Sequence, residues 1–286
     1  MYKRQAEEYS EEAVRCGKTL KIHIKVDTGM SRLGYLCDGD YFKHGIDGIV
    51  HSMSLAGLET EGIFTHFAVA DEVGEEARTY TENQFSLFKK VIAQIEEQTG
   101  KKIKIRHCAN TGATVTYPET YLDMVRPGLL LYGYGEFAKK LKLKPVMAMK
   151  TTVSTIKIYE KGTKIGYGGT YETSKTTRIG VVPYGYADGF MRCLSNKYAL
   201  LTKSGSAPVR GKICMDMCMI DLTDKPEVDV GSEVEIFGEN HPLEIMSDAA
   251  NTIPYELTCA VSKRVPRWYI EAVSYTHLTL PTICSV

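Results

Sequence analysis

The sequence predicts an α/β plus β protein: four βα units laid out like the C-terminal half of a TIM-type (β/α)8 barrel, followed by an antiparallel β domain. Three observations carry this. Strand-like runs alternate with helical segments through the first 134 residues. Polar or special residues collect where those runs end, as at the C-terminal face of a barrel. From about residue 144 the texture changes to β-branched and aromatic runs separated by glycine turns.

The first run, KIHIKV at 21–26, alternates polar and apolar residues and stops at the turn residues of DTGM. Three more punctuated runs follow: EGIFTHFA at 61–68, KIKIRHCAN at 102–110 and MVRPGLLLYG at 124–133. Helical spacing occupies 38–56, 75–98 and 112–117 between them. Asp27, His66, Asn110 and Arg126 stand at or near the run ends. Four βα units are half of what closes a barrel, so open sheet edges and poor solubility are expected. The barrel part is assigned to 6–134 and the β domain to 144–269. In the β domain KTTVSTIKIY, TKIGYGGTY, TRIGVVPYGYADG, YALLTKSG, APVRGKICMDMCMIDL and GSEVEIFG read as strands and hairpins, interrupted by one helix near 244–252. Residues 1–5 and 273–286 match neither texture, and VSYTHLTLPTICSV resembles translated sequencing-adapter sequence; both ends are expected to be non-native.

A length of 286 residues suits about two domains. Lys+Arg and Asp+Glu are 35 each, with no long block of either sign, which argues against binding by phosphate neutralisation and so against a nucleic-acid or membrane-surface partner. No apolar stretch approaches the roughly 18 residues that span a bilayer, and MYKRQAEEYSEE lacks the apolar core of a secretory signal. A soluble, cytoplasmic protein is expected. The cysteines at 16, 37, 108, 193, 214, 218, 259 and 284 include no CxxC pair. Cys214 and Cys218 have no second Cys/His pair nearby, so reduced thiols are expected and a metal is not.

Eight runs then stand in order: KVDTGMSRLG at 25–34, GIFTHFAVADE at 62–72, HCANTGA at 107–113, DMVRPGLLLYG at 123–133, IGYGGTY at 165–171, VPYGYADGF at 182–190, VRGKICMDMCMIDLT at 209–223 and IPYELTCAVSKRVPRWY at 253–269. Together they resemble the alanine racemase family, enzymes of fold-type III that use pyridoxal 5'-phosphate (PLP). The resemblance implies a (β/α)8 barrel followed by a β domain, a homodimer with its active site at the subunit interface, and interconversion of L- and D-alanine that supplies D-alanine for peptidoglycan.

The resemblance also assigns roles. Arg126 matches the arginine facing the pyridine nitrogen; a guanidinium does not give up its proton, which keeps the ring a poor electron sink. Arg32 matches the arginine beside the ring's phenolic oxygen, and Lys25 a lysine that is often carbamylated in relatives. His66 matches the histidine packed behind the ring. Gly128 and Leu129 match main-chain donors to the phosphate, and Thr111 stands where the family usually has serine. Racemisation needs a base on each face of the α-carbon. Tyr167 matches the tyrosine base given by the other subunit, and His107 a histidine linking that tyrosine to Arg126. Tyr186 and Tyr255 match residues at the entrance that hold phosphate or substrate. Met215 matches a main-chain contact to the substrate carboxylate, on a loop supported by Asp216. The other base in the family is the Schiff-base lysine of a KAxAYGHG-like run. No such run occurs in the 286 residues, so the chain is expected to be an N-terminally truncated fragment, inactive alone. Alternatives are a serine or broad-specificity racemase, against which Tyr255 weighs, a non-catalytic dimerisation or binding fragment, and a larger protein with a preceding membrane domain.

Overall fold

A computed structural model describes residues 3–270, and the chain divides between Leu143 and Lys144 into two compact units. The suspected foreign stretch 273–286 lies outside the described residues. Residues 3–5 open the first helix.

The first unit contains α1 (Lys3–Arg15), β1 (Leu20–Asp27), β2 (Tyr35–Leu36), α2 (Phe42–Ser54), β3 (Leu58–Phe64), α3 (Glu75–Thr99), β4 (Ile105–His107), α4 (Thr111–Thr116) and α5 (Glu136–Lys140). The strands form one parallel sheet in the order β2-β1-β3-β4. Alternation along β1 decides its two faces. Ile22, Ile24 and Val26 turn into a buried core shared with Ile46 and Ile49 of α2. Phe85, Phe88, Ile92 and Ile95 recur at helical spacing on α3 and enter the same core. Lys21, His23 and Lys25 are left on the opposite face, where the site forms.

One expected strand does not form. In the run 124–133 the structure has a short 3-10 helix, Gly128–Tyr132. Pro127 sits in a helical conformation (φ −72°, ψ −7°) and Gly128 at φ +48°, so the chain turns away where a strand would continue. The approach to that turn still runs beside β4: Asp123 N donates to Arg106 O at 3.1 Å and Arg126 N to Ala109 O at 2.9 Å. Arg126 therefore arrives where a fourth long strand would have delivered it. α1 was not foreseen from periodicity.

The second unit contains β5 (Met149–Thr152), β6 (Thr155–Tyr159), β7 (Lys164–Ile165), β8 (Tyr171–Glu172), β9 (Thr177–Val182), β10 (Ala199–Thr202), β11 (Gly205–Pro208), β12 (Cys218–Asp221), β13 (Glu233–Phe237), α6 (Leu243–Ala250) and α7 (Pro254–Ala260). Its strands make antiparallel sheets ordered β11-β10-β13-β5 and β12-β9-β6, with β7-β8 a separate hairpin. α6 occupies the anticipated helical stretch, and α7 is an addition that carries Tyr255. Leu200, Val234, Ile236 and Ile220 point inward and are fully buried.

Phe88 is fully buried and Val73 is 93% exposed. Phe88→Ala is expected to cost about 3–5 kcal/mol, and Val73→Ala to stay within about 0.5 kcal/mol. Urea denaturation of the two variants checks this.

Candidate active site

The parallel register of the first unit sets side chains in a row across the sheet. Lys25 pairs with Phe64, and Phe64 with His107. Lys25 Nζ lies 5.7 Å from the Phe64 ring centre, and the Phe64 and His107 rings stack at 4.9 Å, 3° from parallel. The Arg126 guanidinium covers the same ring at 5.4 Å. It donates to Thr65 O at 2.9 Å, to Cys108 O at 3.2 Å and to His107 Nδ1, and lies 3.3 Å from His66 Nδ1. Acceptors on several sides fix the plane of the guanidinium.

The electrostatics follow from that placement. Burial pushes Arg126 below its ordinary value, yet a guanidinium starts so high that it stays protonated. His66 and His107 are held down at about 4, first by burial and then by Arg126. Both are neutral acceptors at neutral pH. Burial also lowers the Lys25 ammonium; Asp27 opposes that shift, while Arg32 and Arg126 add to it. The Asp27 carboxylate is already taken, accepting from the main-chain N–H groups of Gly29, Met30 and Ser31 at 3.0 Å each.

The structure brings several of the expected site residues together. Lys25, His66, His107 and Arg126 come together, and the charge of Arg32, an exposed residue, is felt by Lys25 and His66. His107 is buried, with Nδ1 engaged by Arg126 and Nε2 lying 2.8 Å from His23 Nδ1, so within this chain both ring nitrogens have partners. His23 was missed, although its position two residues before Lys25 puts it on the same strand face. Thr111 bonds the Pro127 carbonyl, tying the start of α4 to the Pro127–Leu129 turn.

In the second unit Tyr167 stands 70% exposed on the turn between β7 and β8, at the edge of an open cavity of about 550 Å³ that Lys164, Cys214 and Met219 also line. Met215 and Asp216 follow Cys214 on a loop joined to the turn of Tyr186. Tyr186 N donates to Cys214 O at 3.0 Å and Ala187 N to Met215 O at 2.9 Å. Arg264, which the sequence reading passed over, clamps both segments through Asp188 Oδ1 at 2.7 Å and Asp216 Oδ1 at 2.8 Å. Tyr186, Met215 and Tyr255 are all exposed.

The family model for the alanine racemase N-terminal domain matches residues 2–136, and that for the alanine racemase C-terminal domain matches 146–269. The chain belongs to the alanine racemase family. An alanine racemase of Clostridium tetani is 46% identical over 274 residues, covering 93% of this chain and 69% of that relative. One from Desulforamulus reducens is 45% identical over 259 residues, covering 89% and 68%. Among solved structures, an alanine racemase of Clostridium difficile superposes with a TM-score of 0.84 at 36% identity, over 92% of this chain and 68% of that one. The alanine racemase of Bartonella henselae, solved with covalently bound pyridoxal phosphate, gives 0.80 at 30%, over 94% and 72%.

The residues present fit the cofactor of the alanine racemases. PLP brings a phosphate dianion and a phenolic oxygen. Arg32 would supply positive charge to the phenolic oxygen, while the nearby Asp27 carboxylate faces its own turn through Oδ1. A pyridine nitrogen needs a donor, which Arg126 is, and one that keeps its proton.

The low histidine values predict a pH effect. Between about pH 6.5 and 4 the unfolded chain binds more protons than the folded one at His66 and His107, so the stability they contribute is full above that window and lost as pH falls through it. Histidine ring spectra should show both residues still neutral at about pH 5, and urea midpoints should fall less steeply with acid in a His66→Gln, His107→Gln double variant.

Proposed function

We propose that this chain carries the cofactor-holding face and the tyrosine base of an amino-acid racemase that interconverts L- and D-alanine and provides D-alanine for peptidoglycan. The observation that carries this is the half-buried, multiply anchored Arg126 guanidinium on a face where arginines outnumber carboxylates. Family membership supports the same reading. When bound, PLP supplies an electron-withdrawing ring that acidifies the α-carbon of the attached amino acid.

The chain's own residues have distinct tasks in this reading. Arg126 would hold the ring nitrogen without protonating it, which would limit electron withdrawal by the ring. Arg32 holds the phenolic oxygen. A carbamate on Lys25 would turn a cation into an anion between Arg32 and Arg126, and the lowered Lys25 value favours the neutral amine that carbamylation requires. His66 packs behind the ring. The main-chain N–H groups of Gly128 and Leu129 would hold the phosphate, on a turn that the Thr111 hydroxyl ties to the start of α4 by donating to the Pro127 carbonyl. Tyr167 moves a proton at the α-carbon on one face; a lysine outside the 286 residues serves the other. Met215 holds the substrate carboxylate through its main chain, and Tyr186 and Tyr255 line the entrance. In a homodimer, Tyr167 and Met215 come from the partner subunit. Tyr255 favours alanine over serine, because a bulky phenol leaves no room for the serine hydroxyl. This reading makes the enzyme a cytoplasmic one. Among the described residues no helix is long and apolar enough to cross a membrane.

In the enzyme read from the full gene, Tyr167→Phe should lower the rate of D-alanine formation by about 10²–10⁴-fold. The 286-residue chain alone, mixed with PLP and treated with borohydride, should yield no reduced adduct. D-alanine formation at native rates by this chain alone would overturn the division of roles.

A further inference from the structure

The contacts of His107 continue past the cluster. Its Nε2 lies 2.8 Å from His23 Nδ1, the two rings tilted by 56°. His23 Nε2 lies 3.6 Å from Glu61 Oε2, and the other oxygen of that carboxylate accepts from Lys21 Nζ at 2.8 Å. One end of this series, Arg126, has only donors. The other, the Glu61 carboxylate, has only acceptors. A neutral imidazole has one of each, so a single arrangement satisfies every contact. His107 accepts at Nδ1 and carries its proton on Nε2, and His23 accepts at Nδ1 and turns its own N–H toward the Glu61 carboxylate, an electrostatic contact at 3.6 Å rather than a formed hydrogen bond.

The strand geometry is shaped to allow this. β1 pairs Ile22 with Thr60 but His23 with Gly62, so Glu61 is an extra residue in β3, and a bulge of this kind re-aims the side chain it carries. Gly62 is required for a different reason. A Cβ there would lie 2.6 Å from both Cε1 and Nδ1 of His23 and 2.7 Å from the main-chain oxygen of Ile105, so the imidazole and the neighbouring strand together occupy the space of a side chain. The irregularity has a cost: the Thr60 hydroxyl beside it is buried with no partner among the described residues.

We propose that His23 and Glu61 are positioning residues that lock the His107 tautomer and thereby the orientation of Arg126. The series orients groups and does not conduct protons, because the guanidinium at its inner end releases none. Its consequence for the cofactor rests on the reading of Arg126 given above, whereas the tautomers themselves do not.

The test uses the full chain labelled with ¹⁵N-histidine and long-range ¹H–¹⁵N ring spectra at neutral pH, with parallel titration by PLP. His107 and His23 are expected as Nε2–H tautomers. Glu61→Leu should turn His23 into a mixture and speed solvent exchange of the His107 Nε2 proton by about tenfold, the equivalent of one hydrogen bond. Glu61→Gln, whose amide oxygen still accepts, should restore both. Gly62→Ala should reproduce the Glu61→Leu spectra by displacing the imidazole; Glu61→Leu disturbs no core packing and decides the matter if Gly62→Ala fails to fold. A proton on Nδ1 of His107, or spectra unchanged by Glu61→Leu, would overturn the proposal. If the tautomers respond while PLP affinity stays unmoved, the lock stands and the assignment of Arg126 to the cofactor falls.

Discussion

A guanidinium that cannot give up its proton, held against the polar face of a parallel sheet, sets the terms for everything around it. Each group in contact with Arg126 must accept: the carbonyls of Thr65 and Cys108, and a ring nitrogen of His107. Partial burial strengthens the constraint, since an unpaired charge there would be costly. Burial first, and the same field second, keep His66 and His107 neutral; burial, with the neighbouring arginines adding to it, weakens the hold of Lys25 on its proton. A face so arranged accepts negative charge and resists donating a proton, the property that suits a racemase using an unprotonated pyridine.

The positions of these groups come from sheet register more than from loops. Lys25, Phe64 and His107 meet because β1, β3 and β4 are parallel and in step, while the opposite side of the same strands is fixed by Ile22, Ile24 and Val26 in the core. A one-residue slip would exchange the two faces, so core packing enforces the site. The second unit uses another device. There the exposed loops carrying Met215 and Tyr186 are joined by main-chain hydrogen bonds and clamped by one arginine between two carboxylates. Ion pairs at that exposure contribute little stability, and the geometry of the Arg264 clamp matters more than its energy.

Much of the site was legible because its residues sit in ordered motifs. Arg126, His66 and Lys25 were selected from their runs, and they lie together. What escaped were residues whose importance depends on a neighbour from another strand. His23 looks like one polar residue in an alternating strand, and Glu61 like the start of the next run; nothing local says that a bulge brings the two carboxylate oxygens toward Lys21 and His23. The pairing of His107 with His23 escaped for the same reason, since only three-dimensional neighbours show which groups meet its ring nitrogens.

The sequence by itself determined the order of elements, the change from βα units to antiparallel strands near residue 144, the family, and the residue types available for chemistry. These follow from local periodicity, turn residues and motif order, all of which are properties of neighbours along the chain. Tertiary structure alone decided that 124–133 turns into a 3-10 helix after Pro127, that Arg264 spans two loops, and that a proton on His107 is assigned from both ends. Those outcomes depend on which hydrogen-bonding groups meet across strands, and pairing between distant segments has no signature in the spacing of either one.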